Sequence, residues 1–259
     1  MIRRSPLASL VIVLTFGFGI GANGVFFASF YGSAIRPLPF DEPDRLVGIH
    51  QTQTRGDETL RGVAGSDFAE WRGSFDAFSA MGAHAWENFG FQTDDGTYRV
   101  EGARVTASLF PLLGVEPQLG RNFTPAESRP GGSKVTLLSH RLWIDHFGGD
   151  ASVLGRSVLL SGERYEVVGV MPEGFRFSHY GLVWTPLQDD LVGQPRDGRP
   201  LGVIARLRPG AQLAEARTQM AAESARLAER FPAICVRASA SCAPGRRRAI
   251  TPRGRPSRG

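Results

Sequence analysis

From Ser5 to Ile35 the chain carries no charged residue. A bilayer core takes about twenty apolar residues as a helix, and this run is longer than that. It also contains GIGANG, residues 19–24, a literal G-x-G-x-x-G with Asp41 and Glu42 about twenty residues on. A dinucleotide fingerprint needs a strand, a tight turn, a helix and a second strand that ends in the acid. Here the second strand would be SAIRPLPFDE, and Pro37 and Pro39 cannot donate to a central ladder. The glycines therefore read as part of a transmembrane helix. Gly17 and Gly21 form a G-x-x-x-G pair, and Ala28 lies near the same face. The pair either admits a second helix or reflects the frequency of glycine in membrane helices. Asn23 is polar in mid-membrane and is expected to face a partner helix or protein interior. The rival is a signal peptide, with Arg3 and Arg4 as its n-region and GSA as its cleavage site. Its apolar region would be about 7–15 residues, far shorter than this one. The two arginines place the N-terminus in the cytoplasm under the positive-inside rule, although Arg36 and Arg45 on the other flank work against that.

From Leu46 onward the pattern is that of a water-soluble mixed domain. LVGIHQT alternates as a strand. SDFAEWRGSFDAFSAM reads as a helix, with Asp67 and Glu70 as a capping-box-like pair and Phe68, Trp71, Phe75 and Phe78 along one core face. Asp95-Gly96 and Ser161-Gly162 each sit between alternating runs and predict hairpins. SLFPLLGV reads as a short helix stopped by Gly114. VTLLSHRLWIDHFG reads as a strand, then a helix capped by Ser139 and ended by Gly148. LGVIARL is a strand and Pro209-Gly210 a turn. Ala211 to Arg230 is a helix with Leu213, Met220, Ser224, Leu227 and Phe231 along its seam. This hairpin-rich order predicts α+β rather than a doubly wound parallel sheet. The formal charge of +5 is concentrated at one end. From Pro232 there are seven arginines and no acid, whereas residues 1–231 carry 23 basic against 25 acidic groups. That tail, residues 232–259, is expected to be disordered or out of frame. The alternative is an arginine-rich arm for nucleic acid or anionic lipid.

A search for chemistry finds no constellation. Both cysteines, Cys235 and Cys242, lie in the tail, so the body offers no disulfide, thiolate-ligated zinc or thiol nucleophile. GGSK, ending at Lys134, is not a phosphate loop and reads as surface. His140 and His146 are six apart and fall on nearly opposite sides of a helix; His50, His84 and His179 are scattered. Ser139 beside His140 is explained by capping. The sequon at Asn122 has meaning only in a eukaryotic secretory pathway. No catalytic, cofactor or metal residue is assigned, and no enzyme activity is expected.

FGIGANGVFFASFYGSAIRPLPFDEPDRLV resembles the first membrane helix and exit segment of MacB-type ABC transporter permeases, in particular the duplicated orphan permeases often called ADOP. Further matches run in order through RVEGARVTASLFPLLGVEPQLGRNFT, the stretch from PGGSK to MPEGFRF, VWTPL and LRPGAQLAEARTQM, from about Leu7 to Phe231. The resemblance implies a membrane helix and exit turn over residues 1–36 and a periplasmic core domain over 37–231. Gly17, Gly21 and Asn23 match the glycine-rich part of that helix; Arg36, Pro37 and Pro39 match its exit turn, which the prolines stiffen. It implies a non-catalytic permease of an ABC-type export or mechanotransmission system in the bacterial inner membrane. The partners would be a separate ATPase subunit, other permease copies or membrane helices, and lipid; no nucleic acid is expected. No later membrane helices follow Phe231, so a fragment or degenerate copy is expected. The alternative is a membrane-tethered periplasmic binding or sensing domain that works without an ATPase.

Overall fold

The computed structural model describes Gly17, Phe40, and residues 42–55, 58–93, 96–175, 177, 181–193, 200–231 and 234–239. The chain divides into two compact units, residues 1–39 and residues 40–259. Of the first, Gly17 is helical and exposed, and a Cβ there would meet nothing within 4 Å. The rest of the expected membrane helix lies outside the described residues, as do Gly21, Asn23, Arg36, Pro37 and Pro39. Among the described residues no helix is long and apolar enough to cross a membrane.

The second unit is built on one large mixed sheet. Its strands are β1 (Leu46–Arg55), β2 (Glu58–Arg61), β3 (Phe78–Thr93), β4 (Gly96–Val105), β5 (Leu119–Gly120), β6 (Val135–Leu138), β7 (Ser157–Leu160), β8 (Glu163–Val170), β9 (Val183–Pro186), β10 (Gly202–Leu207) and β11 (Ile234–Ser239). The order is β11-β1-β10-β3-β4-β9-β6-β8-β5; β2 pairs with β1, and β7 with β3 and β8. Among the described residues, only the β4–β9 and β6–β8 pairs are parallel. The helices are α1 (Gly65–Trp71), α2 (Leu109–Leu113), α3 (His140–Phe147) and α4 (Leu213–Arg230). The mixed α/β architecture follows the expectation from the hairpin spacing.

Local signals act as expected where the chemistry is local. Ser161 (φ 52°) and Gly162 (φ 83°) make the two-residue turn between β7 and β8, both in the left-handed region that such hairpins require. Ser139 accepts a hydrogen bond from the Leu142 amide at the start of α3, and Gly148 (φ 61°) ends it. The β3–β4 hairpin pairs Thr93 with Gly96, so the turn falls one residue earlier than Asp95-Gly96 suggests. Asp95 itself lies outside the described residues.

Two expectations need correction. The helix predicted from Ser66 to Met81 stops at Trp71, and Phe78 begins β3 instead. Gly73 adopts φ 88° just past the helix end, and this reverses the chain. Phe68, Trp71 and Phe78 are nonetheless buried in one core, with Phe75 packed against it. The aromatic spacing marked a shared destination, not a continuous helix. Asp67 forms no capping box: it is fully buried and accepts a hydrogen bond from Gln51 Nε2 at 2.7 Å. The second correction concerns the start of the tail. Residues 234–239 form β11, which runs antiparallel to β1 and presents Val236 to the core, its amide donating to Ser224 Oγ on α4 at 3.0 Å. Apolar Ile234 and Val236 alternate with Cys235 and Arg237, a short strand pattern that the compositional break conceals.

The sheet buries both faces. Met81, Ala83 and Ala85 of β3 point to a core closed by α1 and α4. Farther along the same face, Phe89 and Phe91 point to a second core closed by α3 and the β7–β8 hairpin. Between them sits Glu87, 2.7 Å from Arg104 Nε, and Arg104 also donates to Asp189 at 2.9 Å. On the opposite face α2 lies so close that a Cβ on Gly82 would come within 2.9 Å of the Leu109 Cα.

Candidate functional site

The chain enters the second unit at Phe40, and its first turns are fastened to three separate elements. Phe40 is buried and packs edge-on against Phe175 with ring centres 6.5 Å apart. Glu42 then adopts φ 42° and ψ 62°, a left-handed conformation that a non-glycine residue holds only when its surroundings impose it. Its carboxylate pairs with Arg45, and Arg206 Nη1 lies 3.4 Å away on β10. The Arg45 guanidinium donates through Nε and Nη2 to the Leu207 carbonyl at 3.1 and 2.8 Å. Arg206 Nε donates to the Leu112 carbonyl at the end of α2 at 2.8 Å. Two guanidiniums and one strained acid thus tie residues 42–46 to the end of β10 and, through Arg206, to α2. Planar forks with fixed donors suit this role better than an ammonium would.

Behind Phe40 runs a train of rings. Phe175 meets Phe110 at 5.7 Å and Trp184 at 5.6 Å, and Phe110 meets Phe177 at 6.2 Å. Phe177 meets His84 at 5.0 Å and Trp86 at 5.5 Å. Burial holds His84 well below the ordinary histidine range, at about 4. Its Nδ1 and the Trp184 Nε1 are buried without a hydrogen-bond partner. Trp86 ends the train, 43% exposed.

The other sequence candidates do not converge. His140 stacks near Trp143, while His146 lies against Phe91 and Tyr98. His50 is lowered first by burial and then by the Arg61 charge. Lys134 is an exposed partner of Glu163 at 2.6 Å. Asn122 donates to the Val115 carbonyl at 3.3 Å. Among the described residues no set of histidine, cysteine, aspartate or glutamate is placed to hold a metal ion. An open groove of about 370 Å³ lies between the turn after α1 and α4; its Glu223 is committed to Trp71 Nε1 and Arg226. The junction at Phe40 has no signature in sequence, because Arg45 and Leu207 are 162 residues apart. The one available hint was that Arg206 interrupts an otherwise apolar strand, GVIARL.

Residues 9–223 match the family described as the MacB-like periplasmic core domain. The chain belongs to that family. Three solved structures share the MacB-like fold. A permease-protein domain from Porphyromonas gingivalis is 18% identical, with a TM-score of 0.56 over 78% of this chain and 91% of that one. The extracellular domain of the noncanonic ABC-type transporter YknZ from Gram-positive bacteria is 15% identical, with a TM-score of 0.54 over 73% and 98%. The periplasmic region of MacB from Actinobacillus actinomycetemcomitans is 12% identical, with a TM-score of 0.54 over 74% and 87%. No match was found among curated proteins. The family assignment gives this MacB-like domain a place among ABC permease components and agrees with an extracytoplasmic location.

Proposed function

We propose that this MacB-like chain is a non-catalytic permease component of an ABC-type export or mechanotransmission system. In this reading residues 1–36 span the bacterial inner membrane with the N-terminus in the cytoplasm. Gly17, Gly21 and Asn23 pack against another membrane helix, and Arg36, Pro37 and Pro39 stiffen the exit. A separate ATPase subunit drives the helices, and the domain from residue 40 responds outside the cytoplasm. The observation that carries the proposal is the family match over residues 9–223, which includes most of the uncharged run as well as the folded domain. The junction supports it physically. A pull or push on the chain at Phe40 acts directly on the Leu207 carbonyl, on Arg206 and on α2, not on a slack loop. Duplicated orphan permeases are the branch the sequence favours.

Cys235 provides the test, since it is exposed on β11. With Cys242 replaced by serine, a membrane-impermeant maleimide added to spheroplasts should label Cys235 without lysis. Labelling only after lysis would overturn the orientation. Co-expression with an ATP-binding subunit encoded beside it should give a complex that survives purification. A stable, ATPase-free chain that retains a small ligand would instead favour the tethered sensing domain.

A further inference from the structure

His84 is buried among rings, and its Nδ1 meets no hydrogen-bond acceptor among the described residues. It lies on the α2 side of β3, 6% exposed, with Trp86 at 4.5 Å and Phe177 at 5.0 Å between ring centres. Across the sheet it faces Gly202 of β10, where any Cβ would come within 2.3 Å of the imidazole Cε1, and Val105 of β4. The ring thus fills the space left by the missing side chain. Among the described residues, the charged groups of β4 and β10 nearest to it point elsewhere. Arg104 of β4 is on the opposite face with Glu87 and Asp189. Arg206 of β10 shares the face two pairs away and is directed to Leu112 and Glu42. Residues 109–113 of α2 carry no titratable side chain. Nδ1 is buried and has no partner, so an imidazolium would hold a charged donor there without an acceptor.

We propose that His84 is an acid-operated latch on the ring train that seats Phe40. Neutral, it packs against Phe177, which packs against Phe110, which packs against Phe175, the ring that Phe40 meets. Protonated, the imidazole leaves the contact for water, Phe177 loses its platform, and the junction loosens. An exposed face in an acidifying compartment would use this to uncouple the domain from the chain that enters it, which rests on the extracytoplasmic placement proposed above. The direction follows from burial. The free imidazole titrates at 6.5 and the seated one at about 4, so the opened state binds more protons between these values. The closed latch is therefore fully favoured above 6.5 and is lost progressively as pH falls toward 4.

The test is hydrogen exchange on the full-length chain in lipid nanodiscs at pH 7 and pH 5, corrected for intrinsic rates. From these two midpoints the opening equilibrium of residues 40–46 and 172–177 should rise about twenty-fold on acidification. In His84→Gln and His84→Phe, neither of which titrates, the same segments should change less than about two-fold. Equal acid responses in the unaltered chain and both variants would overturn the proposal. So would a response spread evenly over β1 and α4, which is general acid unfolding. If the variants do not fold, imidazole NMR of the unaltered chain decides: His84 must remain neutral at pH 5, and titration near 6.5 sinks the latch. None of these readouts depends on the maleimide result, so each idea can fail alone.

Discussion

On one face of β3, Met81, Ala83 and Ala85 lie under α1 and α4; on the other, Gly82 and His84 lie under α2 and Phe177. The first face is closed by interlocked side chains whose longest-range polar contacts are paired, although Ser66 Oγ on α1 is buried without a partner. Trp71 Nε1 donates to Glu223 at 3.0 Å, Gln51 bridges Asp67 and the Ala64 amide, and Gln219 accepts from the Ala77 amide. The second face is closed by rings, a missing side chain at Gly82 and another at Gly202, and it leaves His84 Nδ1 and Trp184 Nε1 unanswered. A satisfied face has one low-energy arrangement, and unsatisfied polar atoms lower the cost of alternatives. The contrast predicts that the α4 side anchors the fold and that the α2 side, with Phe40 seated on its rings, yields first.

The comparison breaks most readily at Trp71. It is 1% exposed at the centre of the α4 side, and Trp71→Ala should cost about 3–5 kcal/mol from lost burial and cavity, with the freed Glu223 carboxylate adding to it. Urea denaturation of the purified chain measures this. A loss below about 1 kcal/mol would mean that the α4 side collapses around the gap and does not anchor the fold. Trp71→Phe, which keeps most of the ring area, separates packing from the hydrogen bond.

Gly202→Ala sharpens the other side. The added methyl collides with the His84 ring, so the variant should lose about 1–3 kcal/mol through overpacking. Combined with His84→Ala, the loss should be smaller than the sum of the two single changes, since each removes what the other meets. Strict additivity would show that the ring and the glycine do not share their space.

What could be read from the chain alone follows the range of the interactions. The Ser161-Gly162 turn, the Ser139 cap and the Gly148 stop involve neighbours, and sequence announced all three. The stretch after Trp71 misled because core-seeking aromatics at steps of three and four suit a helix as well as a turn leading into a strand; Gly73 was the overlooked breaker. β11 was missed because six ordered residues open a segment of disorder-like composition, and pairing with β1 outweighs that composition. The family, by contrast, was legible from matches running in order along the chain, and residues 9–223 match its model. The junction could not be read at all: Glu42, Arg45, Leu112 and Arg206 meet only once β10 lies between β1 and β3. His84 was visible only as one scattered histidine, because its burial depends on a glycine 118 residues away.

At the junction itself, Arg45→Met keeps the stem and removes both donors to the Leu207 carbonyl. With Arg45 a quarter exposed, the loss should be about 1 kcal/mol, below that of a fully buried charged hydrogen bond. Exchange of the Leu46 to Ile49 amides should rise more than that of α4. A uniform rise would place Arg45 with the anchoring side and erase the distinction between the two faces.

The smallest effect belongs to Lys134. Its ammonium lies 2.6 Å from Glu163 Oε1, yet both side chains are about half exposed. Water and salt screen such a pair, and holding two long side chains still costs entropy that nearly cancels the attraction. Lys134→Ala should therefore change stability by less than about 0.5 kcal/mol at physiological salt, and the difference should vanish in about 1 M salt. Since GGSK is also the nearest the chain comes to a phosphate loop, a fluorescent nucleotide titrated against both forms should give no saturable signal with either. The pairing of short distance with negligible effect bears on the comparison of the two faces. Distance alone does not rank these contacts. The 2.6 Å surface pair should matter less than a histidine nitrogen that touches no acceptor, because only the buried atom has lost its water.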